Sequence, residues 1–162
     1  MDITVYHGSK KKINFIDYHK CHLGWHAGNL CQAIDIIEPK RLSDGYDWNK
    51  GYIYVSEINL TDTNTITIPD VFLYDYNFID TIKKTLKACL KNQLPKNDAI
   101  HKLDDCYSES DVRRVLLKNG IKYIRYENKY ETKGVSYCIL DEEVNKIEFK
   151  LYDFLTEHIQ WI

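Results

Sequence analysis

The side chains best suited to chemistry fall in three short clusters. In Val5-Tyr6-His7-Gly8-Ser9, an apolar, β-branched run ends in His-Gly-Ser. A histidine at a strand end beside glycine sets an imidazole next to backbone that a ligand can approach closely. The second cluster, Gly24-Trp25-His26-Ala27-Gly28-Asn29, leads into a periodic apolar segment with Cys31, Gln32 and Ala33. At such a loop-to-helix junction, backbone N–H groups favour an anionic or polar ligand. The third runs from Tyr126 to Tyr137 and sets Glu131 in a polar turn ahead of Gly134 and Ser136. Glu127 is a rival carboxylate on the same turn.

A competing cluster overlaps the second: His19, Cys21, His22 and His26, whose imidazoles and thiolate suit zinc. Structural zinc sites ordinarily use two separated pairs, and no CxxC or HxxxH pair follows here. His101, Cys106 and His158 would have to converge from afar. The expectation is a site without metal.

The elements that must hold these residues follow from periodicity. Ile3 to Tyr6 alternates as a strand that stops at His7-Gly8-Ser9, and Lys10-Lys11-Lys12 reads as a solvated turn. Asn29 to Glu38 carries Leu30, Ala33, Ile34 and Ile37 at helical spacing, with Pro39 beyond its end. Residues 40–51 read as a polar loop. Tyr52 to Leu60 is a strand with Tyr52, Tyr54, Ile58 and Leu60 on one face, and Thr65 to Ile68 is a short strand stopped by Pro69. The middle is helical: Ile79, Ile82, Leu86 and Leu90 form one stripe, Lys84, Lys87 and Lys91 a solvated opposite face, and Pro95 the end. Ser108 and Asp111 resemble a capping box that opens a second helix, which Asn119-Gly120 terminates. Ile121–Tyr126 and Ser136–Leu140 are strands flanking a polar turn. The tail, Ile147 to Ile162, fits a strand or a short helix equally well.

Composition sets the bounds. The chain has 162 residues, 44% hydrophobic, enough for a packed core, and the length of a single domain, residues 1–162. With 22 Lys and Arg against 24 Asp and Glu, it is neither a disordered tail nor a basic protein that coats nucleic acid. No apolar run approaches the roughly 20 residues of a membrane span, and no basic-then-apolar leader opens the chain. Five cysteines without a CxxC pair suggest reduced thiols and a cytoplasmic setting. Thirteen tyrosines are unusual; such rings stack planar ligands or simply cover a small core.

In this order, the three clusters resemble the ADP-ribosyltransferases of the diphtheria-toxin and poly(ADP-ribose)-polymerase type. That family has a His-Gly-Ser/Thr on its first core strand. A Gly-rich turn with an aromatic residue or His before a helix comes next, then a late Glu or Asp beside a strand. The segment from Gly120-Ile121-Lys122-Tyr123 to Tyr137-Cys138-Ile139-Leu140-Asp141, with Lys146-Ile147, is similar to the end of small bacterial and phage members. The likeness covers residues 3–38, 52–70 and 116–148. It implies an α+β fold, a split and mostly antiparallel pair of sheets around an NAD cleft with peripheral helices. The implied activity is mono-ADP-ribosyl transfer from NAD to a protein or nucleic-acid acceptor. The protein would then be a microbial toxin, defence factor or phage effector, with an antitoxin or inhibitor protein as a further partner and no membrane.

The resemblance also implies roles. His7 would hydrogen-bond the adenosine-side ribose of NAD, Gly8 would clamp the nicotinamide amide through its backbone, and Ser9 would support that pocket. His26 stands where the family usually has Tyr, so Tyr54, Tyr46 or Trp25 would supply the stacking ring. Glu131 would be the catalytic carboxylate. Cleaving the nicotinamide–ribose bond develops positive charge on the ribose, as in glycoside cleavage. A fixed carboxylate there stabilises charge present mainly in the transition state, which raises the rate. Such a site needs NAD as substrate and no metal. The alternatives are NAD glycohydrolysis, with water as acceptor, and an inactive ADP-ribosyltransferase-like binding module. NAD-using RNA 2′-phosphotransfer ranks lower, because its pair of arginines is missing near His7.

Overall fold

A computed structural model describes residues 1–17, 21–37, 50–72, 76–129, 132–141, 148–153 and 158–161, the last two segments through their backbone alone. The expected 40–51 loop lies almost wholly outside these residues, as do Tyr46, His19 and Glu131.

Among the described residues, the chain forms eight strands and four α-helices. In chain order they are β1 Asp2–Ser9, β2 Trp25–Ala27, α1 Leu30–Ile37, β3 Lys50–Asn59, β4 Thr65–Thr67, α2 Phe78–Gln93, α3 Ala99–Lys102, α4 Glu109–Lys118, β5 Tyr123–Asn128, β6 Gly134–Ile139, β7 Glu148–Asp153 and β8 His158–Trp161. They build two four-stranded sheets, ordered β1-β3-β7-β8 and β2-β6-β5-β4. Every neighbouring pair is antiparallel except β4 and β5, which run parallel. The protein is therefore mixed α+β, with two sheets and flanking helices. No helix of the described residues is long and apolar enough to cross a membrane.

Period-two burial explains how the layers stack. On β3, Tyr54 and Ile58 point toward the other sheet, where they meet Trp25, Tyr123, Tyr137 and Ile139. Ile53 and Val55 point the opposite way, against Ala33 and Ile37 of α1. On the second sheet, Ile66, Ile124 and Cys138 face a helical layer built on Ile82, Leu86, Leu90, Val112 and Leu116. The α2 stripe starts one residue earlier than expected, with Phe78 buried and Ile79 only partly so. Lys87 of the expected solvated face instead bonds Asp104.

Helix ends follow their chemistry. Ser108 caps α4 by accepting from the Asp111 N–H at 3.1 Å, and the Asp111 carboxylate accepts the Ser108 hydroxyl at 2.8 Å and, more loosely, the Tyr107 N–H at 3.3 Å. Asp is a methylene shorter than the Glu of a full capping box. At the other end, Ile121 N–H reaches the Leu116 carbonyl and Gly120 N–H that of Leu117, both at 3.0 Å. Gly120 supplies the positive φ of 80° that this motif requires. The tail resolves as strands, because β7 pairs with β3 from Val55↔Glu148 to Lys50↔Asp153. Its own pattern left that open; the available edge of β3 decides it.

The first strand also runs further than expected. β1 continues through His7, Gly8 and Ser9, since β3 offers partners as far as Ser9↔Tyr52. His7 thus stands within a paired strand rather than past its end.

Candidate functional site

The two sheets meet at a narrow seam. Tyr6 and Gly28 exchange backbone hydrogen bonds of 2.8 Å in each direction, tying β1 to the end of β2. Beside this bridge the strands diverge and leave a cavity of about 260 Å³. His7 and Gly8 line it from the first sheet; His26, Tyr126, Asn128 and Ser136 line it from the second. Gln32, Ala33 and Ile36 of α1 close one side, and Asp70 and Phe72, after β4, close another. Side chains from all three sequence clusters therefore meet at one cavity.

Local backbone geometry aims these groups. His22, Leu23 and Gly24 form a γ-turn, with Gly24 N–H donating to the His22 carbonyl at 2.8 Å across a Leu23 φ of 64°. A buried leucine in the left-handed region stores strain on the order of 1–3 kcal/mol, which the surroundings must hold. The Glu109 carboxylate does so by accepting the Leu23 N–H at 2.8 Å. The same turn offers the His22 carbonyl to His26 Nε2–H at 2.8 Å. Because that nitrogen donates, Nδ1 of His26 accepts, and the Tyr126 hydroxyl supplies the proton at 2.7 Å. Burial in this network lowers the His26 pKa to about 4, so the ring is neutral at pH 7.

His7 is fixed by the mirror arrangement. Its Nδ1–H donates to the His26 carbonyl at 2.6 Å, leaving Nε2 as an unprotonated acceptor with no partner among the described residues. Burial depresses its pKa too, although the bond to the carbonyl opposes the shift. Gly8 permits the close approach of α1. A Cβ there would stand 2.0 Å from the Ala33 carbonyl oxygen.

The described ends of the segment joining β5 to β6 are held from outside. Asp70 Oδ2 accepts the Lys129 N–H, and Asp35 Oδ2 the Thr132 N–H, each at 3.2 Å. Gln32, buried at 2% exposure, donates from Nε2 to the Thr132 carbonyl at 3.1 Å and to Ser136 Oγ at 3.2 Å. Its Oε1 caps the helix start at Asn29 N–H, while Asn29 Oδ1 accepts the Gln32 N–H. Both flanks of Glu131 are thus tied to the cavity wall. Glu127 alternates to the opposite, exposed face of β5, away from the cavity that Tyr126 and Asn128 line.

Two residues expected at the site stand elsewhere. Ser9 is not among the cavity-lining residues, and its hydroxyl closes a local turn with Lys11, donating to the carbonyl at 2.6 Å. Tyr54, the register partner of His7, is 2% exposed in the inter-sheet core, with its hydroxyl accepting the Ile13 N–H. Its ring lies 6.2 Å behind that of His7, and buried Trp25 lies 5.1 Å away, so both support the imidazole rather than line the cavity. The aromatic walls are Tyr6, Phe72 and Tyr126, with Phe72 4.8 Å from Tyr126 and edge-on to His26 at 4.5 Å. Of the competing zinc cluster, His26 has both ring nitrogens in hydrogen bonds and His22 Nδ1 faces Glu109 at 3.3 Å.

Sequence reasoning missed Asp70, Phe72 and the role of Gln32. Asn29-x-x-Gln32 carried a readable signal, the spacing of a capping box. Asp70 and Phe72 carried none, because they reach the cavity only through the crossover that places β4 beside β5. Comparison with known protein families, curated proteins and solved structures gives no match.

Proposed function

We propose that the protein transfers ADP-ribose from NAD to a macromolecular acceptor, with the nicotinamide end of NAD in the cavity between the sheets. The observation that carries this reading is the convergence of three distant segments on one cavity: His7-Gly8, His26 and the paired flanks of the Glu131 turn. A volume of about 260 Å³ sits just below the ~300–1,000 Å³ of typical small-molecule sites, which suits one ring and its sugar rather than a whole dinucleotide.

The chemistry assigned is modest. His7 Nε2 accepts from a ribose hydroxyl, the only hydrogen-bonding role its tautomer leaves it. Glu131 stabilises the ribosyl cation as the glycosidic bond breaks and the electron pair leaves with nicotinamide, which departs neutral. The acceptor nucleophile then takes the ribosyl carbon and loses its proton. Lys129 and Thr132, on either side of Glu131 in the chain, are held by Asp70, Asp35 and Gln32, and transition-state electrostatics favour a fixed carboxylate.

The test is incubation with adenylate-labelled NAD, alone and with a cell lysate. Label on a protein or nucleic acid supports transfer, and free ADP-ribose would assign the glycohydrolase reaction. Intact NAD under both conditions overturns the reading.

A further inference from the structure

We infer that this cavity selects a positively charged planar ring over a neutral one, and that Asp70 sets the preference. The inference rests on the NAD reading for the identity of the ring, the pyridinium of oxidised nicotinamide, but not for the preference itself. Among the described residues lining the cavity there is no lysine or arginine, and Asp70 is the one carboxylate. Its oxygens are oriented by main-chain donors, the Phe72 N–H and the Lys129 N–H, each at 3.2 Å. No cationic side chain among the described residues pairs with it. The hydrogen bonds therefore aim the charge without cancelling it.

The walls add to this field. Tyr6, Phe72 and Tyr126 present aromatic rings, whose faces attract cations. Of the three histidines that line the cavity, burial holds His7 and His26 neutral, and His22 turns its Nδ1 to the Glu109 carboxylate at 3.3 Å. A neutral ring entering such a site gains stacking alone. A cationic ring gains stacking, the π-face attraction and the carboxylate, which together offset the loss of its hydration. Oxidised nicotinamide is such a cation, whereas dihydronicotinamide and released nicotinamide are neutral. The cavity would thus hold substrate more tightly than either the reduced dinucleotide or its own product.

The experiment measures binding of two small rings to the full chain by calorimetry or protein-observed NMR: 1-methylnicotinamide, a cation, and nicotinamide, its neutral relative. Wild type should bind the cation roughly tenfold tighter, about 1.4 kcal/mol. Asp70→Asn, which keeps a carbonyl oxygen for one of the two N–H donors, should bring the two affinities within about twofold, and Asp70→Glu should retain the gap. Equal affinities in wild type overturn the inference, as does a full cation preference in a folded Asp70→Asn protein. If Asp70→Asn does not fold, the wild-type contrast and Asp70→Glu decide. Neither probe can be cleaved at a ribose bond, so the outcome is independent of catalysis. A protein that prefers the cation yet leaves labelled NAD intact removes the transferase reading alone. One that cleaves NAD with no cation preference removes only this inference.

Discussion

The Nδ1–H of His7 donates to the main-chain carbonyl of His26 across the seam between the two sheets, 2.6 Å from donor to acceptor. This bond connects the first cluster to the second and sets the tautomer of His7. With Nδ1 protonated, Nε2 is committed to accepting. If that nitrogen receives a ribose hydroxyl, NAD should raise the melting temperature by ligand linkage, by about 2.7 kcal/mol of added stability at a hundred times Kd. His7→Ala should abolish most of that rise while lowering the unliganded melting temperature only slightly. Equal shifts in both proteins, read by differential scanning fluorimetry, would remove His7 from the site.

Glu131 and Glu127 make a matched pair for kinetics. Glu131→Gln keeps size and hydrogen-bonding reach but loses charge, so NAD binding should change little while the chemical step falls ~10²–10³. Glu127 is exposed on the far face of β5, and Glu127→Gln should retain most activity. Single-turnover rates of NAD cleavage decide the ranking. The reverse order would shift the catalytic turn by four residues.

His26 predicts the direction of acid sensitivity. Its folded pKa of about 4 lies below the ordinary 6.5, so between those values the unfolded chain binds the extra proton. Stability is therefore full above pH 6.5 and falls as pH drops toward 4, by roughly 3 kcal/mol from this group if the shift is fully expressed. Protonation would also oblige the Tyr126 hydroxyl to turn away from Nδ1. Urea midpoints at pH 7 and pH 4.5 should differ markedly less in His26→Gln than in wild type. An equal acid loss in the two proteins would show that His26 is not the group responsible.

Gly8→Ala separates packing from conformational preference. Its Cβ would meet the Ala33 carbonyl oxygen at 2.0 Å, backbone against backbone, and only displacement of α1 relieves that clash. Destabilisation of 1–3 kcal/mol or more is expected, together with loss of NAD binding. Gly120→Ala has open space around the new methyl, so its cost should come from the positive φ alone, about 1 kcal/mol. NAD binding should survive it. Chemical denaturation and calorimetry of the two variants test both statements.

Local patterns in the amino-acid sequence determined much of this protein. Alternation marked β1, β3, β5 and β6, a spacing of three and four marked α1 and α2, and Asn119-Gly120 ended α4 by the bonding geometry only glycine accepts readily. Those are short-range effects, legible because neighbouring residues alone produce them. The clusters at His7 and His26 and the hairpin around Glu131 were visible for the same reason. The tertiary structure alone decided which face of each strand met the cavity. Ser9 shares a strand with His7 yet bonds its own turn, and Tyr54 is its register partner yet lies behind it in the core. It alone assigned the tail to strands, since pairing depends on a free edge of β3 that no local pattern encodes. Asp70 and Phe72 joined the site through the parallel pairing of β4 with β5, a contact between segments more than fifty residues apart. Neutral histidines follow from burial, and burial is a property of the assembled layers rather than of any residue in the chain.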